Sequence, residues 1–126
     1  ARVAGEVAQD TGEINLPLVA DWPNRPKQKV CFDSGKVALT RWQVLSRDRD
    51  TSLLALTPVT GRSHQLRIHM REMGHPILGC DFYAPDAVLR AAPRLLLHAT
   101  RIAFKHPLSG QTLIAHSPAP TDFYRD

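Results

Sequence analysis

The sequence predicts an α+β domain with a mainly antiparallel (mixed) sheet and short helices. Segments with strand-like alternation outnumber segments with helical spacing, and turn sequences rather than long crossovers join neighbouring strands. The chain has 126 residues, of which 43% are hydrophobic, so it is long enough to bury a core as one domain.

The first third of the chain is predicted to contain two short strands and a long loop. Residues 1–7 alternate roughly as a strand does, and residues 10–13 have the composition of a turn. Residues 14–19 form the second strand, which Pro17 marks as an edge or a bulge because proline cannot donate a ladder hydrogen bond. Residues 20–36 are predicted to be a loop.

A hairpin is predicted next. Residues 37–46 alternate in character, and one set of their side chains forms the better core face: Ala38, Thr40, Trp42 and Val44. The charged run at residues 47–50 suits a hairpin turn, and residues 51–59 return as the partner strand.

Residues 61–80 carry the clearest helical signal. Gly61 suits a tight turn from strand to helix, and Ser63 can cap the helix by accepting a backbone hydrogen bond. The apolar face of this helix is predicted to consist of Leu66, Met70 and Met73. A neighbouring basic face is predicted to consist of His64, Arg67 and Arg71. Gly74 is a suitable residue to follow the last turn.

The rest of the chain is predicted to add one helix and one hairpin. Residues 86–92 have the character of a short helix, and residues 94–104 of a long strand. A turn at residues 106–110 leads into a returning strand at 111–116. The tail at residues 117–126 is proline-rich and predicted to be irregular.

The loop at residues 20–36 carries a second basic cluster. It combines the ring of Trp22 with the cations of Arg25, Lys27 and Lys29, and two prolines stiffen it. Aromatic rings beside cations suit looped or single-stranded RNA, which offers base faces and phosphates together. The alternative interpretation is a solvated loop whose Trp22 ring packs in the core.

Charge and hydropathy exclude some classes of protein. The formal net charge of +4 is a modest tilt toward polyanionic partners. No apolar run approaches the ~20 residues that span a membrane, and no leader resembles a signal peptide. We therefore expect no membrane association and a cytoplasmic protein.

Neither the cysteines nor the histidines predict a metal site. Cys31 and Cys80 have no metal or redox spacing, and a cytoplasmic chain would keep them reduced. A disulfide between them requires that the fold bring them together. The six histidines match no zinc pattern, and His64 and His69 lie on different faces of the predicted helix.

Four stretches carry a resemblance to a known family. Residues 61–69, Gly-Arg-Ser-His-Gln-Leu-Arg-Ile-His, and residues 74–79, Gly-His-Pro-Ile-Leu-Gly, resemble the third motif of the pseudouridine synthases. Residues 21–31 and 93–99 are similar to the same family. The resemblance implies a part of the pseudouridine synthase catalytic domain, which isomerises specific uridines to pseudouridine without a cofactor. The partners it implies are large-subunit rRNA and the tRNA anticodon stem-loop.

One part of the family's pattern does not occur in the sequence. The family's catalytic aspartate lies in an earlier His-Arg-Leu-Asp segment, and its active-site tyrosine lies upstream of a segment resembling residues 1–3. We therefore expect residues 1–126 to be the C-terminal portion of the catalytic domain, inactive alone. Its uncovered sheet edge and apolar surface should favour self-association. Asp21 and Asp81 are tempting substitutes for the acid, but each lies in a loop.

The resemblance implies catalytic roles for Arg67 and Leu66. Arg67 corresponds to the basic residue that pairs with the family's aspartate, and a guanidinium can hold a carboxylate ionised and oriented. Leu66 can line the floor on which an extruded base rests. We expect Arg67 to lie in the main concave cleft.

The other site residues are expected to contact RNA. They are Trp22, Arg25, Lys27, Lys29, Arg62, His64 and Arg71. Tyr83 is either an active-site aromatic or a residue that packs its loop, and we favour packing. A different class of function is a non-catalytic RNA-binding domain, and an upstream His-Arg-Leu-Asp segment in the gene would decide for an enzyme.

Overall fold

Short strands, two α-helices and two 3₁₀ turns make up the computed structural model, which describes residues 1–124. The strands and helices are β1 (Arg2–Ala4), β2 (Thr11–Asn15), β3 (Leu18–Ala20), β4 (Gln28–Val30), β5 (Leu39–Arg47), β6 (Thr51–Pro58), α1 (Gln65–Glu72), α2 (Asp86–Leu89), β7 (Arg101–Lys105) and β8 (Thr112–His116). The 3₁₀ turns are Trp22–Asn24 and Thr121–Phe123.

A four-stranded sheet in the order β1–β6–β5–β2 is the centre of the fold. β3 pairs with β4 and β7 pairs with β8, and every strand pair within residues 1–124 is antiparallel rather than mixed. The main buried cluster joins side chains of this sheet and α1, among them Val3, Trp42, Leu54, Ile68 and Met70. The α+β prediction is confirmed.

The β5–β6 hairpin forms where the sequence predicts it. Its register shifts once, at a bulge between Val44 and Ser46. The predicted core face is confirmed, because its side chains are buried or half-buried: Ala38, Thr40, Trp42 and Val44.

The predicted turn at residues 10–13 is wrong, and the predicted strand at residues 14–19 is divided at Pro17 between β2 and β3. β2 begins at Thr11 and pairs with β5, so that Gly12 lies opposite Trp42. A Cβ at position 12 would lie 2.5 Å from the Trp42 ring. Glycine is therefore required here by a side chain on the neighbouring strand and not by a turn.

Two other segments also differ from their predictions. The predicted loop at residues 20–36 contains β4, which pairs with β3. The predicted strand at residues 94–104 is a strand only in β7. Leu96 instead joins two separate segments, since its N–H donates to the Leu78 carbonyl (3.0 Å) and its carbonyl accepts from the N–H of Arg2 (3.0 Å).

The C-terminal tail is more ordered than predicted. A 3₁₀ turn interrupts it, and the Phe123 ring of that turn is 1% exposed. This ring packs in a second buried cluster with Leu53, Leu78 and Leu96. Residues 125–126 of the predicted tail lie outside the described residues. α2 ends at Leu89, three positions before the predicted end of that helix.

The face of α1 that packs on the sheet differs from the predicted apolar face. Its buried side chains are Gln65, Ile68, His69 and Met70. Of the predicted apolar face, Met70 is buried and Met73 packs against the main cluster, whereas Leu66 is half-buried. The buried face also includes Gln65 and His69, because these polar residues have buried hydrogen-bond partners on and beside β5.

These partners form a continuous buried network. The Gln65 side-chain amide donates to the Leu39 carbonyl (2.9 Å) and to Thr40 Oγ1 (3.0 Å). Because Thr40 Oγ1 accepts that bond, its own hydrogen is directed to Nδ1 of His69 (2.7 Å). His69 Nε2–H then donates to the Leu16 carbonyl (3.0 Å). The network attaches α1 to β5 and to the segment between β2 and β3.

The ends of α1 are only partly as predicted. Ser63 does not cap the helix; the N-cap residue is His64, with φ 55° and no side-chain cap bond. Gly61 is not left-handed, and a Cβ there would meet no atom within 4 Å, so the turn does not require glycine. Gly74, with φ 88°, follows the C-cap as predicted.

The β7–β8 hairpin contributes little to either buried cluster. All residues of both strands are exposed within the described part of the chain. Its exposed apolar side chains include Ile102, Phe104, Leu113 and Ile114. A two-stranded hairpin with no covered face is marginally stable by itself.

His69→Leu tests whether the buried network holds α1 on the sheet. The substitution leaves the Thr40 hydroxyl hydrogen without its acceptor and the Leu16 carbonyl without its donor, so the free energy of unfolding at pH 7.5 should fall by about 1–3 kcal/mol. Chemical denaturation followed by circular dichroism measures this change. The control His116→Leu, on exposed β8, should change it by less than about 0.5 kcal/mol.

The same variant should also alter the pH dependence of stability. Burial lowers the pKa of His69, partly opposed by its bond to Leu16 and the charge of Glu72. The unfolded chain therefore binds more protons than the folded chain just below about pH 6.5. The stabilisation from neutral His69 is complete above that pH and is lost as the pH falls. Wild type should lose stability more steeply than His69→Leu between pH 7 and 5; equal slopes would contradict this account.

Candidate functional site

Arg67 lies on α1 and is held by the loop that follows the helix. Its Nη2 donates to the carboxylate of Asp81 and to the Asp81 carbonyl (2.7 Å), and its Nε donates to Cys80 Sγ (3.3 Å). The guanidinium carbon lies 5.2 Å from the centre of the Tyr83 ring and 5.7 Å from that of Phe82. The side chain is 13% exposed. Arg67 is therefore fixed in position before any ligand binds.

These contacts also keep Arg67 charged. Burial by itself lowers the pKa of the guanidinium, but the interactions with Cys80 and Asp81 outweigh it and raise the pKa above its ordinary value. The charge is thus maintained in a partly dehydrated setting, where it can act strongly on a second anion.

Tyr83 connects three segments of the chain. Its hydroxyl accepts a hydrogen bond from the backbone N–H of Gln28 (2.9 Å) and contacts Nδ1 of His64. Either Tyr83 or His64 Nδ1 can donate the hydrogen of their shared bond, according to the tautomer of the imidazole. Tyr83 is 5% exposed, which fits the packing interpretation, and it also ties α1 to β4.

Both members of the His64–Tyr83 pair are neutral near pH 7. Burial, reinforced by the charge of Arg67 and opposed by Asp81, lowers the pKa of His64. Burial also raises the pKa of Tyr83. The hydrogen bond from Gln28 and the charges of Arg67 and Arg71 oppose this rise, and Cys80 adds to it. A neutral imidazole whose Nδ1 carries no hydrogen can accept the hydrogen of the Tyr83 hydroxyl.

Two residues of this cluster have left-handed backbone. Among non-glycine residues of the described chain, positive φ occurs at His64 (55°) and Phe82 (68°). Their rings stack with centroids 6.3 Å apart. Such conformations are uncommon for residues with a Cβ and often occur at functional sites. Here they direct two rings toward the Arg67 side chain.

The predicted basic face is brought together, but Arg62 lies apart from it. His64, Arg67 and Arg71 all contact Tyr83, and the Arg71 guanidinium carbon lies 5.4 Å from its ring centre. Arg71 also pairs with its neighbour Glu72. Arg62 instead donates through Nε to the Val37 carbonyl (2.9 Å). Leu66, the predicted floor residue, is half-buried on α1.

The loop cations lie around an exposed ring. Trp22 is 67% exposed, so the alternative that its ring packs in the core is wrong. The Arg25 guanidinium carbon lies 4.9 Å from the centre of that ring. Lys29 is exposed, whereas the Lys27 ammonium lies 6.0 Å from the centre of the Phe82 ring. Lys27 therefore extends this loop toward the Arg67 cluster.

Two cavities formed by described residues are not lined by Arg67. The first has a volume of about 330 Å³ and is lined by Leu18, Val19, Ala20, Gln28, Ser34, Lys36, Arg62 and Ser63. The second, of about 470 Å³, is lined by Thr11, Gly12, Glu13, Arg41, Trp42, Gln43 and Thr57. The expectation that Arg67 lies in the main concave cleft stays a prediction.

Three partners in this cluster escaped the sequence analysis. Asp81 was considered only as a substitute acid, and the links from Tyr83 to His64 and to Gln28 were not foreseen. Nothing in the spacing of these residues points to contact, since Gln28 and Tyr83 lie 55 positions apart. The available signal was the run Asp81-Phe82-Tyr83, which places a carboxylate next to two aromatic rings in the loop after α1.

Residues 1–124 contain neither a group of side chains arranged for a metal ion nor a membrane-spanning helix. No group of three or more His, Cys, Asp or Glu side chains in that range is arranged to hold a metal ion. Cys31 and Cys80 are both free. No helix there combines the length and the apolar character that crossing a bilayer requires.

Comparisons with known sequences point to one family. Residues 1–72 match the family model described as RNA pseudouridylate synthase. The chain is 54% identical, over 126 residues, to the dual-specificity RNA pseudouridine synthase RluA of Vibrio cholerae, covering 98% of this chain and 50% of that protein. It is 59% identical over 111 residues to the protein of the same name from Yersinia pestis, covering 87% and 54%. The chain thus spans about half the length of these curated relatives.

Solved structures share the fold. The human RNA pseudouridylate synthase domain containing 1 superimposes with a TM-score of 0.82 at 23% identity, covering 98% of this chain and 55% of that one. The human RNA pseudouridylate synthase domain containing 4 gives a TM-score of 0.69 at 23% identity, covering 98% and 57%. At this identity the similarity concerns the fold alone.

Proposed function

The chain belongs to the RNA pseudouridylate synthase family, and on this premise we propose that residues 1–126 are the C-terminal portion of a catalytic domain that isomerises specific uridines in RNA to pseudouridine. The substrates we propose are large-subunit rRNA and the tRNA anticodon stem-loop, without a cofactor and in the cytoplasm. The observation that carries the proposal is the fixed, charged guanidinium of Arg67 within the matched motif.

Arg67 would serve the reaction by binding the catalytic carboxylate. Isomerisation requires that uracil be detached, rotated and rejoined through carbon, beside an acid that stays ionised in a largely dehydrated site. A guanidinium supplies charge and directed hydrogen bonds for this purpose. Asp81 and Cys80 accept hydrogen bonds from Nη2 and Nε of Arg67. Within residues 1–124, Nη1 makes no hydrogen bond. Nη1 is therefore the atom we assign to the aspartate of the upstream segment.

Leu66 and the cations around Arg67 would receive the RNA. Leu66 is next to Arg67 and only half-buried, as a surface beneath an extruded base requires. The exposed Trp22 ring offers a stacking face for a base. Phosphates would be bound by the surrounding basic residues: Arg25, Lys27, Lys29, Arg62, His64 and Arg71.

The β7–β8 hairpin would be covered by the other half of the catalytic domain. Its exposed apolar side chains and unpaired edges support this, because such a surface favours association. The chain by itself is therefore expected to self-associate.

A non-catalytic RNA-binding role is the second candidate. It is favoured by the exposed Trp22 ring with Arg25 beside it, a surface that can bind RNA without a catalytic acid. The two candidates share the RNA surface and differ in whether Arg67 meets a catalytic acid, so turnover separates them.

Arg67→Met should abolish turnover in a protein that joins this chain to the upstream half present in its relatives. RNA affinity should stay within about tenfold of wild type, because one phosphate-scale contact among many contributes little. Pseudouridine formation and RNA affinity are measured on the same anticodon stem-loop. The control Arg41→Met, at an exposed ion pair with Glu13, should retain turnover. Unchanged turnover in Arg67→Met would refute the catalytic role.

Replacing Arg25, Lys27 and Lys29 together with alanine should weaken RNA binding and flatten its salt dependence. The slope of log affinity against log salt should fall by about one unit for each lost phosphate contact. The control replaces three exposed arginines elsewhere, Arg49, Arg90 and Arg101, and so removes the same charge. Equal effects of the two triple variants would show that net charge, and not this loop, determines binding.

The chain alone should form no pseudouridine, because it contains Arg67 but no acid in the family's sequence context. Purified chain is incubated with an anticodon stem-loop, and pseudouridine is detected by chemical labelling and mass spectrometry. Weak, salt-sensitive RNA binding should persist. Clear turnover would mean that the nucleophile lies within residues 1–126.

A further inference from the structure

The 330 Å³ cavity lies between the two basic regions of the chain. One wall is apolar and comes from β3 (Leu18–Ala20). Gln28 of β4 and Lys36 lie beside this wall, as cross-strand neighbours of Ala20 and Leu18. The other lining residues are Ser34 and the residues before α1, Arg62 and Ser63. Its volume is at the lower end of the range of about 300–1,000 Å³ that small-ligand sites occupy.

The lining of this cavity favours an anion with a flat apolar part. Two of its side chains are cations, Lys36 and Arg62, and none of its lining residues is acidic. The 470 Å³ cavity differs in this respect, since its cation Arg41 is paired with Glu13 (3.4 Å). A phosphate would be attracted to the first cavity and meet a neutralised charge in the second.

The cations of the first cavity are carried on fixed backbone. Lys36 exchanges two backbone hydrogen bonds with Leu18, of 2.8 and 3.0 Å. The backbone N–H of Arg62 donates to Gln65 Oε1 (3.1 Å), and its Nε donates to the Val37 carbonyl (2.9 Å). Within residues 1–124 the two terminal guanidinium nitrogens of Arg62 make no hydrogen bond, so they can bind a ligand at little ordering cost.

We propose that this cavity binds one nucleotide of the substrate RNA. Its phosphate lies on Lys36 and Arg62, and its base lies against the apolar wall with polar edges near Gln28, Ser34 and Ser63. This inference rests on the proposed RNA function and extends it to a second nucleotide position, because Arg67 does not line the cavity. Gln28, through Tyr83, and Ser63, next to His64, connect the bound nucleotide to the Arg67 cluster.

Ligand-detected shifts in the isotope-labelled chain test the proposal. Uridine 5′-monophosphate should shift the backbone amide signals of Val19, Lys36 and Ser63. Uridine alone and inorganic phosphate alone should bind at least about tenfold more weakly, because uridine lacks the phosphate and inorganic phosphate lacks the base. A short single-stranded oligouridine should shift the same signals and displace the mononucleotide.

Two variants test whether Lys36 and Arg62, and not the rest of the basic surface, bind the mononucleotide. Lys36→Gln, and Lys36→Gln combined with Arg62→Gln, should weaken mononucleotide binding by about tenfold or more. Arg41→Gln, in the second cavity, should leave it unchanged. Retention of the melting temperature shows that a variant is folded, and Lys36→Gln alone avoids the Arg62 contact with Val37.

Three results would overturn the proposal. Absence of shifts from both the mononucleotide and the oligonucleotide at about 10 mM removes the cavity as a site, even if RNA still binds through the loop at residues 22–29. Equal binding by Arg41→Gln and Lys36→Gln removes the assigned phosphate contacts. Mononucleotide binding that oligouridine does not displace assigns the cavity to a free nucleotide instead of RNA. Loss of RNA binding in the loop triple variant bears on the proposed function and is measured separately.

Discussion

The buried hydrogen-bond network between α1 and β5 determines how the helix is rotated on the sheet. Gln65 and His69 are one turn apart, and both bond Thr40. A buried polar group without a partner costs about 1–3 kcal/mol, so a rotation that breaks these bonds is unfavourable. With positions 65 and 69 facing the sheet, Arg67 is turned toward the loop that carries Asp81. The orientation of Arg67 therefore depends on Gln65 and His69, which do not belong to the site.

The loop after α1 supplies the charged and aromatic partners of Arg67. Tyr83 lies beneath the guanidinium groups of Arg67 and Arg71, and its hydroxyl reaches β4. Aromatic faces attract cations without neutralising them, whereas Asp81 is the carboxylate that pairs with Arg67. Glu72 pairs with Arg71 in the same way, and the cluster is connected to the cations of the Trp22 loop through Gln28 and Lys27. RNA, with phosphates and exposed bases, is a ligand of complementary chemistry.

The fold was predictable where pairing is local. The β5–β6 hairpin and the end of α1 at Gly74 follow from alternation and from a glycine in left-handed conformation, which neighbouring residues specify. The sequence does not predict the start of β2, because Gly12 reads as a turn residue although it is required by the Trp42 ring on another strand. The apolar run Leu95-Leu96-Leu97 predicts a strand from residue 94, but the backbone of Leu96 bonds two distant segments instead. Backbone pairing between distant segments produces no local hydrophobic periodicity from which it could be predicted.

The sequence by itself determined the types of residue at the site: a basic helical face, a rigid loop with a ring and three cations, and a motif that places Arg67 and Leu66 side by side. Only the tertiary structure decided their partners. Asp81 holds Arg67 and Tyr83 joins His64 to Gln28, contacts between residues 14, 19 and 55 positions apart. Spacing along a helix specifies which side chains share a face. Which loop meets that face depends on burial and hydrogen bonding across the whole domain, and these act only once the chain is folded.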